Sequence, residues 1–200
     1  MDIAMQTDRV AASDTARDKL LKAAAVLFYE NGIAGTGIDA IIARAGVAKK
    51  SLYNNFASKA DLVRLYLDIR HDEWLALHAR RAATAATPKE QVLAVFDAYR
   101  DHAEHAYERG FRGCGLLNAA AELTVGDVGR DAVRRHKEEV EALLAKALTN
   151  LLDGDAARAK TMARQLAFLL EGAITRAGLE GNSTLVSEAR AMTLDMLDAL

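Results

Sequence analysis

TARDKLLKAAAVLFYENGIAGTGIDAIIARAGVAKKSLYNNFASKADL, residues Thr15–Leu62, contains three segments with helical apolar spacing, separated by glycines. In the first segment, apolar side chains recur every three or four residues until Asn31-Gly32, where glycine tolerates the left-handed backbone that ends a helix. A short second segment closes at Gly46, and a third is centred on Leu52. A helix, a tight glycine turn and another short helix are the layout of a helix-turn-helix, which this spacing predicts.

The third segment presents a polar face that lacks acidic residues. When Leu52 is placed inward on a helical wheel, Lys50 and Asn54 point almost directly away from it. The residues that flank those two are Lys49, Ser51, Tyr53 and Asn55. Lysine matches guanine acceptors, asparagine matches adenine, and hydroxyl groups bond phosphates. A short surface helix of ordinary polar residues would share much of this pattern, but the absence of acids and the preceding glycine turn favour a helix that reads DNA.

Positive charge is concentrated near this segment, although the whole chain carries a formal charge of −2. The nearby basic residues are Arg44, Lys49, Lys50 and Lys59. A local basic patch on a chain that is otherwise nearly neutral suits contact with a phosphate backbone.

The rest of the sequence predicts further helices. Proline interrupts helices and strands alike, and alanine is the strongest helix former, so a chain rich in alanine with Pro88 as its one proline favours an almost all-α fold. Ser58 can cap a fourth helix that continues towards Arg81, and Thr87-Pro88 can start a fifth that reaches Arg109. We predict an all-α chain of about nine helices, with a three-helix head before a larger helical bundle.

The N-terminal region resembles the DNA-binding head of the tetracycline-repressor (TetR) family. The residues that carry the resemblance are the AA…LF…G pattern of the first helix, Thr36, Ala45-Gly46-Val47, Leu52-Tyr53, Phe56, Ser58-Lys59 and Leu62. The resemblance is close over the first quarter of the chain and extends to the remainder only in helix count and order. It implies a homodimer whose two heads read a palindromic operator in double-stranded DNA, and a variable C-terminal domain that binds a small molecule.

Site residues follow from the resemblance position by position. It implies that the third helix contacts DNA through Lys49, Lys50, Ser51, Tyr53 and Asn55. It also implies phosphate contacts from Thr36 and from Lys59 at the start of the fourth helix. Family members commonly carry Ser or Thr where this chain has Gly37 and Ala48, and an aromatic residue and His where it has Asn54 and Asn55. These departures leave the predicted fold intact but change the expected sequence preference.

The resemblance also divides the chain. We expect a flexible tail over residues 1–12, a helix-turn-helix DNA-binding domain over residues 13–60, and a ligand-binding and dimerisation domain over residues 61–200. The last two predicted helices are apolar on broad faces, and in TetR-like proteins this pair forms a four-helix dimer interface. The predicted interface residues are Met162, Leu166, Leu170, Ile174, Leu185, Ala189, Met192 and Met196. Packing within the chain is the alternative for any of them.

Aromatic and polar residues cluster in the sequence around the middle of the predicted bundle. A ligand pocket is usually apolar with a few converging polar groups. The candidates to line one are Trp74, His78, Phe96, Tyr99, Phe111, Cys114, Asn118, Glu122 and Phe168. For any single residue the alternative is a place in the core or on the surface. Cys114, near Arg112, is either a redox or electrophile sensor or a small buried side chain.

Several function classes are disfavoured. The chain lacks a phosphate-binding glycine loop, a GxSxG elbow, an HExxH motif and a CxxC motif, so an enzyme with an unrecognised site is a remote alternative. We expect no cofactor and no metal site. No apolar run reaches the roughly 18 residues of a membrane helix, and a single cysteine fits a cytoplasmic location.

The resemblance to the TetR family therefore implies a repressor that releases a palindromic operator when a small molecule binds its C-terminal domain. A helix-turn-helix regulator without a small-molecule ligand is the other alternative.

Overall fold

The structure is a computed structural model that describes residues 14–200, and over that range the chain forms nine α-helices and no strand. They are α1 (Ala16–Gly35), α2 (Ile38–Ala45), α3 (Lys49–Asn55), α4 (Lys59–Ala82), α5 (Pro88–Ala103), α6 (Gly115–Glu122), α7 (Val128–Leu151), α8 (Ala156–Glu180) and α9 (Thr184–Asp198). We call α1–α3 the head and α4–α9 the body. The predicted all-α fold is confirmed, whereas the tail predicted for residues 1–12 lies outside the described residues.

Short capping motifs fix the ends of several helices at the residues that the sequence predicts. Thr15 caps α1 in a reciprocal capping box with Asp18. The hydroxyl of Ser58 accepts a bond from the amide of Asp61 at the start of α4. Gly46 adopts the left-handed conformation that ends α2. Such side-chain bonds satisfy backbone groups that a helix end leaves unpaired, which is why short sequence motifs fix these boundaries.

The first helix is broken at Gly32, whose backbone angles are φ 79° and ψ 167°. The regular helix thus ends at the predicted position, and one further turn leads to Thr36. The hydroxyl of Thr36 donates to the carbonyls of Leu27 and Gly32, at 3.0 and 2.6 Å. Those bonds tie the kinked end of α1 to its own preceding turn.

The fifth helix is shorter than predicted, since it ends at Ala103 rather than Arg109. Residues 104–114 form a loop instead. In this loop the ring of Tyr107 stacks on Tyr29 of α1 with centroids 4.4 Å apart, and Phe111 is buried. The loop buries these aromatic side chains against the head and the bundle, and this long-range packing overrides the helical pattern.

The head and the body share one continuous hydrophobic cluster. In the body, α5 packs against α4, α7, α8 and α9, while α1 packs against α2, α3, α4 and α6. The helix α1 therefore contacts both units, which makes it a physical connection between the reading surface and the bundle. None of the described helices has the length and apolar character needed to cross a membrane.

Candidate nucleic-acid interface

The short helix α3 lies on the surface with its apolar side inward. Leu52 and Phe56 are buried, whereas Lys50, Tyr53 and Asn54 are exposed, Tyr53 by 60%. The predicted outward orientation of this face is confirmed. Because the face combines an ammonium, a phenol and an amide, it offers donors and acceptors that suit base edges and phosphates.

Two of the flanking residues have partners within the head. The ammonium of Lys49 lies 2.9 Å from the carboxylate of Asp39 on α2, and both side chains are exposed. The amide of Asn55 donates to the carbonyl of Ser51 at 2.7 Å, so it is folded back on its own helix. Lys50, Tyr53 and Asn54 are therefore the side chains of α3 best placed to meet a duplex.

Of the two expected phosphate contacts, Thr36 is contradicted by its burial, and Lys59 lies at the start of α4 as predicted. Thr36 is 2% exposed, and the bonds that its hydroxyl makes to α1 leave it unable to reach a phosphate, so that prediction is wrong. Lys59 donates to the carbonyl of Ile33 at 2.6 Å. That bond uses one of the three N–H donors of its ammonium group, so a phosphate contact from Lys59 stays a prediction.

Side chains of the body form hydrogen bonds with the backbone of α1 on both sides of the break at Gly32. On the N–H side, the carboxylate of Glu122 at the end of α6 accepts from the amides of Ile33 and Ala34, at 2.9 and 2.7 Å. On the carbonyl side, the guanidinium of Arg112 donates to the carbonyls of Tyr29 and Glu30. A carboxylate on free amides and a cation on free carbonyls match the charges of helix ends.

We call this set of contacts the α1 clamp. It corrects the prediction for Glu122, which binds the backbone of the head instead of lining a pocket. Asn118 is likewise turned away, since its amide donates to the carbonyl of Arg112 at 3.0 Å. The sequence offered no sign of these contacts, because the paired residues lie about 80 to 90 positions apart.

An apolar surface runs along the outer side of α8 and α9. It surrounds a cleft of about 300 Å³, and its large exposed side chains include Phe168, at 65%, and Met192, at 54%. Leu185 is half-buried at the cleft, and Met196 is also exposed. The prediction that Phe168 lines an interior pocket is wrong.

Five of the predicted interface residues are instead buried within the chain. They are Met162, Leu166, Leu170, Ile174 and Ala189. The inner face of α8 packs on α7 and α9, so its largest aliphatic side chains serve the core. An interface on these helices would use their outer side.

Comparison with known proteins matches both units of the fold. A family model described as bacterial regulatory proteins, tetR family, matches residues 20–65. A second, described as tetracyclin repressor-like, C-terminal domain, matches residues 88–193, more than half of the chain. The chain belongs to the TetR family.

Curated relatives of this TetR-family chain include one activator and one repressor. The HTH-type transcriptional activator FasR of Mycolicibacterium smegmatis is 38% identical over 100 residues, which are 50% of this chain and 45% of the relative. The HTH-type transcriptional repressor KstR2 of Mycobacterium tuberculosis is 36% identical over 104 residues, 49% of this chain and 50% of the relative. The chain thus spans about half the length of the curated relatives it matches.

Solved structures agree over nearly the whole chain. SCO4454, a TetR-family transcriptional regulator from Streptomyces coelicolor, is 32% identical with a TM-score of 0.81, covering 91% of this chain and 93% of its own. A TetR transcriptional regulator from Chloroflexus aurantiacus is 25% identical with a TM-score of 0.77, covering 92% and 94%. Because the family that both models describe consists of regulatory proteins, this TetR-family chain is a transcription regulator and not an enzyme.

In the body of this TetR-family chain, several predicted pocket residues meet in an aromatic cluster. Trp74 stacks on His78 with ring centroids 5.5 Å apart and lies 5.1 Å from Tyr99. His136, which the sequence analysis did not select, completes the cluster: its Nδ1 lies 2.9 Å from Nδ1 of His71 and its Nε2 3.5 Å from the phenol of Tyr99. A single histidine on a charged helix carries no sequence pattern that would predict its packing among aromatic rings.

A lysine and the single cysteine border the cluster. The ammonium of Lys137 donates to the phenol of Tyr99 at 3.3 Å and lies 4.0 Å from the thiol of Cys114. The interior beside Cys114 is almost filled, with about 10 Å³ of space. A larger cavity of about 310 Å³ lies next to this space and shares Arg70 and His102 with it. This larger cavity opens between α4 and α5. Phe96 is fully buried in the core, and Phe111 is a buried residue of the loop of residues 104–114.

Lowering the pH should destabilise the protein through two histidines of the body. Burial, helped by the charge of Lys137, lowers the pKa of His136 to about 3, and burial with the charge of Arg70 lowers the pKa of His102 to about 4. In the unfolded chain both take up protons near pH 6.5, whereas the folded chain does not. The stabilisation is therefore complete above that pH and is lost as the pH falls towards the folded pKa values. We expect the free energy of unfolding to fall by about 3 kcal/mol between about pH 6.5 and pH 5.

Urea unfolding at a series of pH values would measure this dependence. The variant His136→Gln should lose about half of the pH slope, because one of the two titrating groups is gone. Equal slopes for the two chains would contradict this account.

Proposed function

We propose that this chain is a homodimeric repressor that binds a palindromic operator in double-stranded DNA through α3 and releases it when a small molecule binds the body. The observation that carries the proposal is the exposed, acid-free face of Lys50, Tyr53 and Asn54. Residues 13–60 would form the DNA-binding domain and residues 61–200 the domain for ligand binding and dimerisation. A regulator of this kind acts where the DNA lies, which in a bacterium is the cytoplasm.

The apolar surface on α8 and α9 supports a homodimer. Large exposed apolar patches on a protein mark interaction surfaces. The cleft beside Phe168 and Met192 is lined mostly by apolar side chains, and a second copy of α8 and α9 would cover it. A two-fold pair presents its reading helices twice, which matches the two half-sites of a palindromic operator.

The aromatic cluster supports an effector site in the body. Trp74, Tyr99 and His136 provide apolar surface with a few polar atoms, as ligand sites usually do. The cavity of about 310 Å³ that borders His102 offers access to this region. An effector would have to separate the packed side chains, and that displacement could be passed on through the α1 clamp to the head.

The almost filled interior also favours a second candidate, a regulator that responds to no small molecule. Side chains leave only about 10 Å³ beside Cys114 and His136. The two candidates differ in one measurement: a repressor with an effector releases its own upstream DNA when a suitable compound is added, whereas the other keeps its affinity with every compound of a broad set.

Selection of bound DNA from random sequence would test the proposal, since a palindrome with a fixed half-site spacing is expected. Lys50→Ala should relax the preference at one or two base pairs of the selected site, by about 1–3 kcal/mol each. Tyr53→Phe should weaken binding to all sequences alike. Lys146→Ala, an exposed lysine on α7 in the body, is the matched control and should change neither affinity nor preference. Unchanged binding by both α3 variants would rule out this surface.

A further inference from the structure

The loop of residues 104–114 meets α8 at a contact between two glycines. A Cβ added to Gly178 of α8 would stand 2.6 Å from the backbone nitrogen of Gly113, 2.7 Å from its Cα and 2.8 Å from the carbonyl carbon of Arg112. Those three atoms belong to the backbone, so they cannot turn aside as the end of a long side chain could. Gly113 itself has a φ of 88°, which favours glycine. The loop and α8 therefore approach more closely here than any other residue at position 178 would allow.

The same two loop residues are also bonded to α1. The phenol of Tyr29 accepts from the backbone N–H of Arg112 at 2.6 Å and donates to the carbonyl of Gly113 at 3.1 Å. The guanidinium of Arg112 donates to the carbonyls of Tyr29 and Glu30 as part of the α1 clamp. Arg112-Gly113, which we call the connector, thus joins α1 of the head to α8 of the body.

Each of the two helices joined by the connector supports one of the proposed interaction surfaces. The helix α8 is unbroken over its whole length. Phe168, which borders its exposed apolar surface, lies ten residues before Gly178, about 15 Å along the helix axis. The helix α1 packs against α2 and α3 and so supports the reading face. Because closely packed elements transmit a displacement, the closeness of the contact at Gly178 contributes to the distance between the apolar surface and the reading face.

We propose that the contact of the connector with Gly178 fixes the separation of the two reading helices in the dimer, and thereby the half-site spacing that the protein selects. This proposal rests on the homodimer and the palindromic operator of the proposed function. Gly178, Arg112 and Tyr29 are positioning residues, because they lie outside α3 and act on it through α1. Two heads held at one separation fit half-sites at one spacing along the duplex.

A methyl group at position 178 should change that separation measurably. Ordinary contacts between carbon atoms need about 3.5–4.0 Å, so the connector would have to move by about 1 Å in each copy. Over the dimer this amounts to about 2 Å, a large part of the ~3.4 Å rise of one base pair. Alanine is a better helix former than glycine, so a loss in Gly178→Ala would not come from a weaker α8.

Binding to duplexes of graded half-site spacing would test the proposal on the full chain. The probes are the operator selected from random sequence, the same duplex with one base pair added or removed between the half-sites, and a duplex with a single half-site. We expect the wild-type protein to prefer one spacing. Gly178→Ala should bind that spacing about ten-fold more weakly and keep its affinity for the single half-site, because only the joint engagement of two heads is disturbed. Its preference over the neighbouring spacings should shrink or shift by one base pair.

Two further variants separate positioning from a general loss of stability. Gly154→Ala is the matched control: Gly154 has a φ of 94° between α7 and α8, and a Cβ there would meet nothing within 4 Å. It should lower the Tm through backbone strain and keep the wild-type spacing preference. Tyr29→Phe removes only the hydroxyl that bonds the connector, so it should weaken the spacing preference and leave half-site affinity unchanged.

An unchanged spacing preference in Gly178→Ala would overturn the proposal. So would an equal loss of affinity for every duplex, the single half-site included, since a purely structural role gives that result. If Gly178→Ala fails to fold, the same two outcomes in Tyr29→Phe would overturn it. A wild-type protein that binds the single half-site as tightly as any pair of half-sites would contradict the proposed homodimer itself and remove the basis for a fixed spacing.

Discussion

Gly32→Ala is expected to lower the free energy of unfolding by about 3–5 kcal/mol and to break the contact of Glu122 in the α1 clamp. The backbone at Gly32, with φ 79° and ψ 167°, lies in a region that essentially only glycine occupies, and another residue is strained there by about 1–3 kcal/mol. A Cβ at this position would also stand 2.5 Å from the carboxylate of Glu122. That carboxylate would have to give up its bonds to Ile33 and Ala34.

Gly126→Ala is a control that separates backbone strain from the collision with Glu122. Gly126 also has a positive φ, of 87°, but a Cβ there would meet nothing within 4 Å. Its substitution should therefore show backbone strain without damage to the α1 clamp. Urea unfolding gives both free energies, and hydrogen exchange at the amides of Ile33 and Ala34 should accelerate only in Gly32→Ala. Unchanged exchange at both amides in Gly32→Ala would show that the substitution leaves the clamp in place.

A double-mutant cycle with Glu122→Ala isolates the contact itself. Removing the carboxylate removes the atom with which the new Cβ collides, so the two substitutions together should cost less than their sum. Strict additivity would mean that Gly32→Ala acts through backbone strain alone.

Helix boundaries were predictable where a short motif fixes them. Thr15, Ser58 and Gly46 act within three or four residues of the end that they satisfy, so sequence spacing alone reveals them. The end of α5 was not predictable, because the loop after Ala103 follows from the stacking of Tyr107 on Tyr29, 78 positions away. Propensity and periodicity carry no information about such a partner.

The functional residues show the same contrast between local sequence signals and long-range packing. The outward face of α3 follows from periodicity once Leu52 is placed inside, whereas Thr36 and Glu122 were misassigned because their partners are backbone groups of α1. For α8, periodicity finds apolar residues but cannot say what covers them. Leu166 and Phe168 are both apolar, yet one faces α7 and α9 and the other faces solvent.

The exposed side chains on α8 and α9 lead to the second prediction with a large expected effect. Phe168→Asp, combined with Met192→Asp, is expected to leave the fold intact and to split the proposed dimer. Both side chains are mostly exposed in the single chain, so their replacement removes little core packing. In a dimer they would be buried, and the two carboxylates introduced on each copy would lose their hydration and repel those of the partner across the two-fold axis.

Operator affinity should fall by about 10²–10⁴-fold, because a head that binds alone loses the effective concentration supplied by its linked partner. Sedimentation would report the monomer, and binding to full and half operators would report the lost avidity. Val128→Asp is the control: Val128 is 66% exposed at the start of α7, outside the apolar surface of α8 and α9, and should leave a dimer with normal affinity. A double variant that stays dimeric would place the interface elsewhere, and a monomer with undiminished operator affinity would remove the need for two linked heads.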